Sequence, residues 1–359
     1  MLTKYKIFHL KFLYIFFLSL SLILFFFSTA KVEANSFTIN DIEISVPFQM
    51  NFDKNRVIDE GFSKSFSELI YLIVNSSDQK KIDNTKLKEI KGMVETFSIK
   101  EEKFINEIYY VNLGVSFNKK KIFKYLEKKN IFPSIPIKKN FLFIPIIIDE
   151  NKKDLFIFSK NRFFNEWNNS KKSYHLIEYI LPTEDLEDIN IIKNKYEFIE
   201  EYDFKEITNK YYLKDSIVVL FFKNENEIRV LSRIKISDNV ILKNQSFSNV
   251  DIQDPKSTIK IVNDLKTIYE DYWKNHNQIN TSIKLSLSIK VDSSDNFKIS
   301  NFEEILNETD LIYNFSISKF DKNFTYYKII YNGTPNNFIK SMSQYDYKLD
   351  TQNKIWILE

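Results

Sequence analysis

At 359 residues, with 43% hydrophobic and 28% charged side chains, the chain has the length of two domains and the balance of a folded protein. It has no cysteine, which excludes disulfides, thiol nucleophiles and thiolate metal sites. Setting residues 1–34 aside removes Lys4, Lys6, Lys11, Lys31 and Glu33 from totals of 51 basic and 48 acidic residues, leaving 47 of each, so nothing in the net charge favours nucleic acid or anionic lipid as a partner.

The N-terminal segment carries Lys4, Lys6 and Lys11 before the uncharged run Phe12 to Phe27, then Val32 and Ala34 in the small-residue pattern of a cleavage site. This reads as an export signal over 1–34, with an uncleaved inner-membrane anchor over 12–30 as the alternative. The expected location is the periplasm or cell envelope. The chain holds 34 Phe and 20 Tyr but only 4 Gly, a bias toward A/T-rich codons that needs no functional cause.

Alternation in Ser36 to Val46 predicts a strand. Phe62, Phe66, Leu69, Ile70 and Ile73 then line one face of a long helix. A short helix is expected over Thr85 to Met93, a strand over Glu107 to Phe117, and a helix over Lys119 to Ile131 that Pro133 and Pro136 close. Phe141 to Ile148 reads as the most buried strand, with Pro145 calling for an edge position or a bulge. A short apolar run to Phe158 leads to a helix around Asn161 to Asn169. On that helix Phe163, Phe164 and Trp167 stand at i, i+1 and i+4, so two of the three can share a buried face. Arg162 and Glu166 can pair on the exposed side. His175 begins another strand, and "PTEDLEDI" opens an acidic helix. A helix near Phe204 to Tyr212 precedes two strands joined through Asn224 to Glu227.

Asp254-Pro255 opens a helix with Thr258, Ile261, Val262, Leu265, Ile268, Tyr269 and Tyr272 on one stripe. Beyond it, Ile283, Leu285, Leu287, Ile289 and Val291 alternate perfectly. A helix, two strands, the helix Pro335 to Ser343 and a closing strand or two complete a β-α-β-β-α-β order. The expected architecture is therefore α/β or α+β: a mixed sheet with packed helices over 35–250, then a helix and a smaller ferredoxin-like domain over 251–359.

Glycines at 61, 92, 114 and 333 build no G-x-G-x-x-G or Walker loop, and no H-E-x-x-H or G-x-S-x-G motif occurs. No cofactor and no metal site is expected, since His175 and His276 lack ligand spacing. In "PTEDLEDI", Asp185 and Asp188 are the best pair of carboxylates for acid–base work, and helix capping by Thr183 or Asp185 is the plainer reading. Arg162, Glu166, Trp167, Asp185 and Asp188 are the surface candidates for binding. No catalytic residue is assigned.

The landmarks "YYVNLGVSFNKKKIFKYLEKKNI", "IPIII", "FFNEWNN", "ILPTEDLEDI" and the closing "NFEEILNETDLIYNFSISKF" to "KIWIL" run through most of the chain after residue 34. In that order they resemble the exported proteobacterial proteins of the "domain of unknown function 2066" family. The resemblance implies no activity and no catalytic residue. The expectation is an exported, non-catalytic envelope protein that binds or helps assemble another envelope protein. An envelope hydrolase using acidic residues and a small-molecule-binding periplasmic protein are the alternatives. Nucleic acid is not an expected partner, and membrane contact is expected only through an uncleaved N-terminal segment.

Overall fold

The structure is a computed structural model that describes residues 37–169, 175–225, 227–252, 254–281, 284–309 and 311–359. The export segment expected over 1–34 and Ile283 of the alternating strand lie outside the described residues. Residues 36–359 form one compact unit, built as expected from mixed sheets and packed helices. Among the described residues no helix is long and apolar enough to cross a membrane.

The first sheet uses β1 (Thr38–Pro47), β2 (Val94–Ile105) and β3 (Ile108–Phe117) in the order β1-β3-β2, both neighbours antiparallel to β3. Between β1 and β2 lie helix α1 (Lys54–Ile73) and α2 (Leu87–Met93); α3 (Lys119–Lys128) follows β3. Asp53 opens α1 by accepting from Asn55 N, which satisfies a backbone donor that has no partner inside the helix. The apolar stripe of α1, with Phe62, Phe66, Leu69, Ile70 and Ile73, is buried on Ile42, Ile44, Leu113 and Val115. Strand β2 was not expected from the sequence.

The central sheet contains β4 (Lys139–Asp149), β5 (Asp154–Phe156), β6 (Ile177–Ile180), β7 (Ser216–Lys223), β8 (Glu227–Ile236) and β9 (Asn239–Ser248). β4 and β7 run parallel and are apolar on both faces, because helices cover each side. Helices α4 (Arg162–Glu166) and α7 (Pro255–His276) cover one face; α5 (Leu186–Asn194) and α6 (Lys205–Thr208) cover the other. Pro145 sits in an inner strand, yet locally at an edge. β6 pairs with β4 over Lys139 to Leu142 and β5 over Ile147 to Asp149, and Pro145 falls in the gap between them. Asn161 Nδ2 fills that gap by donating to the Pro145 carbonyl at 2.9 Å.

The stripe of α7, from Ile261 to Trp273, belongs to the core of the central sheet. The third sheet follows, with β10 (Leu285–Asp292), α8 (Asn296–Glu308), β11 (Ile312–Phe320), β12 (Phe324–Tyr331), α9 (Pro335–Ser343), β13 (Leu349–Asp350) and β14 (Trp356–Leu358). Its order is β11-β12-β10-β14-β13. The β-α-β-β-α sequence is as expected. The chain then closes with a hairpin, and β14 inserts beside β10 and parallel to it. The first and third sheets thus share one topology, in which a first and a second strand flank the third.

Candidate interaction surface

The five residues singled out from sequence divide between the interior and two small polar clusters. Trp167 is not on the surface. It is fully buried, stacked on Phe143 at 3.7 Å, while Phe163 stacks on Phe221 at 3.8 Å. These are the two rings that share a buried face, and truncating either is expected to cost about 3–5 kcal/mol. Asn161 caps this helix by accepting from Phe163 N and Phe164 N. Glu166 accepts from Asn169 Nδ2 at 3.1 Å, and Arg162 is partly exposed at the helix start.

Asp188 is likewise buried rather than exposed. Asp185 is the N-cap of α5, accepting from Glu187 N at 2.8 Å. The ammonium of Lys210 donates to Asp185 at 3.1 Å, to Glu187 at 2.9 Å and to Asp188 at 2.7 Å. The backbone bond from Glu187, helped by Lys210, holds the Asp185 carboxyl below the usual carboxylate range. A general acid needs the opposite displacement. The arrangement is a capped helix start with a shared cation.

A second polar group, missed in the sequence, lies along α7. Lys266, Glu270 and Lys274 recur every four residues and are all buried. Each terminates the backbone of a neighbouring element. Lys266 donates to the Trp167 carbonyl at 2.6 Å, Glu270 accepts from Leu176 N and Ile177 N at the start of β6, and Lys274 donates to the Val74 carbonyl at the end of α1. His175 Nδ1 lies 3.6 Å from Glu270, and burial pushes the Lys274 ammonium below its ordinary value, partly offset by Asp271 and Glu270. His276 stacks on Trp273 at the helix end. Among the described residues no three His, Asp or Glu side chains gather to hold a metal ion.

The exposed feature of the first sheet is of a different kind. β2 is a twelve-residue strand at the sheet edge, with eleven residues exposed. Its register shifts between Ile99 and Glu101, so Lys100 is an extra residue with no partner on β3. That extra residue sets the phase. Phe97, Ile99, Glu102 and Phe104 oppose Val115, Leu113, Val111 and Tyr109, the row of β3 that faces α1. Without it Phe104 would fall on the other face. α1 covers this row only in part: Phe62 meets Phe97 edge-on at 5.2 Å, yet Phe97, Ile99 and Phe104 remain 47%, 37% and 58% exposed. Phe104 joins Phe48, Phe52 and Tyr109 in a ring cluster, beside the fully exposed Met50.

On the opposite face Gly114 leaves room for the Lys100 side chain to cross β3 and reach Asp41 at 3.2 Å. Glu102 accepts from Lys54 and from the Tyr109 hydroxyl, and Lys103 pairs with Glu101. The other edge of this sheet is stoppered, since Lys64 donates to the Glu43 carbonyl of β1. An exposed strand edge with an unfinished apolar row is a candidate association surface. Comparison with protein-family models gives no match, and comparison with curated proteins gives none either.

Proposed function

We propose that the chain is an exported, non-catalytic protein of the cell envelope that binds another protein through the β2 edge of its first sheet. The observation that carries this reading is the row Phe97, Ile99 and Phe104, in phase with the core yet only partly covered by α1. Exposed apolar side chains gathered along a free strand edge favour association in folded proteins. The hydrolase alternative has less support, because Asp185 and Asp188 serve one lysine and one helix start. The export part of the proposal is motivated by the basic, apolar and small-residue order of residues 1–34.

Site-specific photocrosslinking in intact cells tests the binding reading. Crosslinkers at Phe97 and Phe104 are expected to capture a discrete protein, whereas one at Leu186, exposed on α5, captures none. A β2 that gives no specific adduct in repeated captures overturns the proposal.

A further inference from the structure

We infer that the occupant of the β2 edge is a second copy of this chain, joined antiparallel about a two-fold axis between Lys100 and Glu101. This inference rests on the protein-binding reading and names its partner. The bulge makes β2 symmetric in its facing. Counting outward from the midpoint of Lys100 and Glu101, both of these face away from α1. Ile99 and Glu102 face α1, Ser98 and Lys103 face away, Phe97 and Phe104 face α1, and Thr96 and Ile105 face away. An antiparallel partner puts each residue opposite its mirror position. Every α1-side residue then meets another on that side, and every outer residue meets an outer one.

The side chains are complementary in the same register. Phe97 of each copy stands opposite Phe104 of the other, so two aromatic cross-strand pairs extend the apolar row across the junction. Lys100 stands opposite Glu101, also twice, so these charges, paired within one chain with Asp41 and Lys103, would exchange those partners for each other at the dyad. The runs Thr96 to Ile99 and Glu102 to Ile105 supply the paired backbone on either side of the bulge. Uncharged Ser98 faces Lys103, and Ile99 packs on the methylenes of Glu102. No like charges stand directly opposite in this register. An alternating strand without the extra residue would need its axis on a residue, and Lys100 and Glu101 would no longer meet.

The measurement is the mass of the full chain by sedimentation across a range of concentrations, expected at twice the 43.0 kDa of one chain. Lys100→Glu sets like charges opposite each other twice and is expected to weaken the dimer by about tenfold or more. The double variant Lys100→Glu with Glu101→Lys restores the opposite pairs and is expected to restore the dimer. Both side chains are exposed, so circular dichroism should read a native fold in each variant. The natural chain has no cysteine, so Lys100→Cys gives a clean probe. Mild oxidation is expected to link two copies through Lys100→Cys and not through Glu43→Cys on the opposite strand. A chain that stays monomeric overturns the inference. So does a dimer indifferent to the charge exchange, or one that the Lys100→Cys probe does not link. If β2 crosslinks a different protein while the chain stays monomeric, the inference falls and the protein-binding reading stands.

Discussion

Gly61 faces β3 from the middle of α1, where an added Cβ would come within 2.3 Å of Leu113 Cδ1 and 3.2 Å of Ile44 Cδ1. Helix propensity alone favours alanine there by about 1 kcal/mol, while overpacking a fully buried contact costs about 1–3 kcal/mol. Gly61→Ala is therefore expected to lower the urea midpoint, and a raised midpoint would mean that Leu113 has room to move. Asn106 and Glu107 carry positive φ values of 51° and 62° and form the two-residue turn between β2 and β3. A type I′ turn of this kind favours glycine second, and a side chain in the left-handed region costs about 1–2 kcal/mol. Glu107→Gly should raise stability by about 1 kcal/mol in the same measurement. The turn was illegible for that reason: with no Asn-Gly to mark it, the chain before Ile108 gave no hairpin signal. Tyr109 supplies a check by pH. Burial, and then the bond to Glu102, pushes its hydroxyl up to about 12. Its folded value is above its unfolded one, so its stabilising contribution is full below pH 10 and lost between about 10 and 12. Tyr109→Phe should flatten the alkaline loss of stability over that window, and an unchanged slope would refute the assignment.

The elements easiest to foresee were those with one buried face. α1, α3, α9 and β10 have stripes or alternation that match their burial, since a wet side and a dry side leave a period in the sequence. β2 and β9 were missed because edge strands bury little: the β9 residues are at best half-buried, and the bulge at Lys100 breaks the alternation of β2. α7 was foreseen as a helix but not as a double-sided one. It lies between the central sheet and the end of α1, so side chains opposite its apolar stripe are also buried, and Lys266, Glu270 and Lys274 enter as backbone partners. Glu270→Ala leaves the buried backbone donors of Leu176 and Ile177 without their acceptor, at an expected cost of about 1–3 kcal/mol each. Lys274→Met is the contrasting case, an apolar chain of similar length expected to change stability by about 1 kcal/mol. Burial lowers the Lys274 value, so the unfolded chain binds the extra proton up to 10.5, and stability rises with pH toward that point. Wild type should gain stability relative to Lys274→Met as pH climbs to 10.5; a pH-independent difference would show that folding leaves the proton affinity of Lys274 unchanged.

At the scale of the whole molecule, the three sheets are joined unequally. The first and central sheets share a dense seam. Ser134 N donates to Ile73 O, Ile279 N to Pro133 O, Lys274 to Val74 O and Asn75 Nδ2 to Asn275 Oδ1; Ser76 bonds to Asp271 as well. Among the described residues the third sheet joins mostly at the surface of α3: Lys119 donates to Thr309 O, Lys120 to Asn314, and Lys284 pairs with Glu127, with Leu311 packing into both cores. Local opening follows the density of buried contact. β4 and β7, apolar on both faces and covered by helices on each, should therefore hold the slowest-exchanging amides of the molecule. Those of β10 and β12 should exchange through a separate opening of lower free energy that leaves β4 and β7 protected. Hydrogen exchange at increasing low urea separates the cases, because amides that open together converge on one isotherm. If β10 and β12 converge with β4 and β7 from the start, the polar seam at α3 is strong enough to make all three sheets one cooperative unit. If they do not, Lys119→Ala should lower the β10 and β12 isotherm and leave that of β4 and β7 where it was.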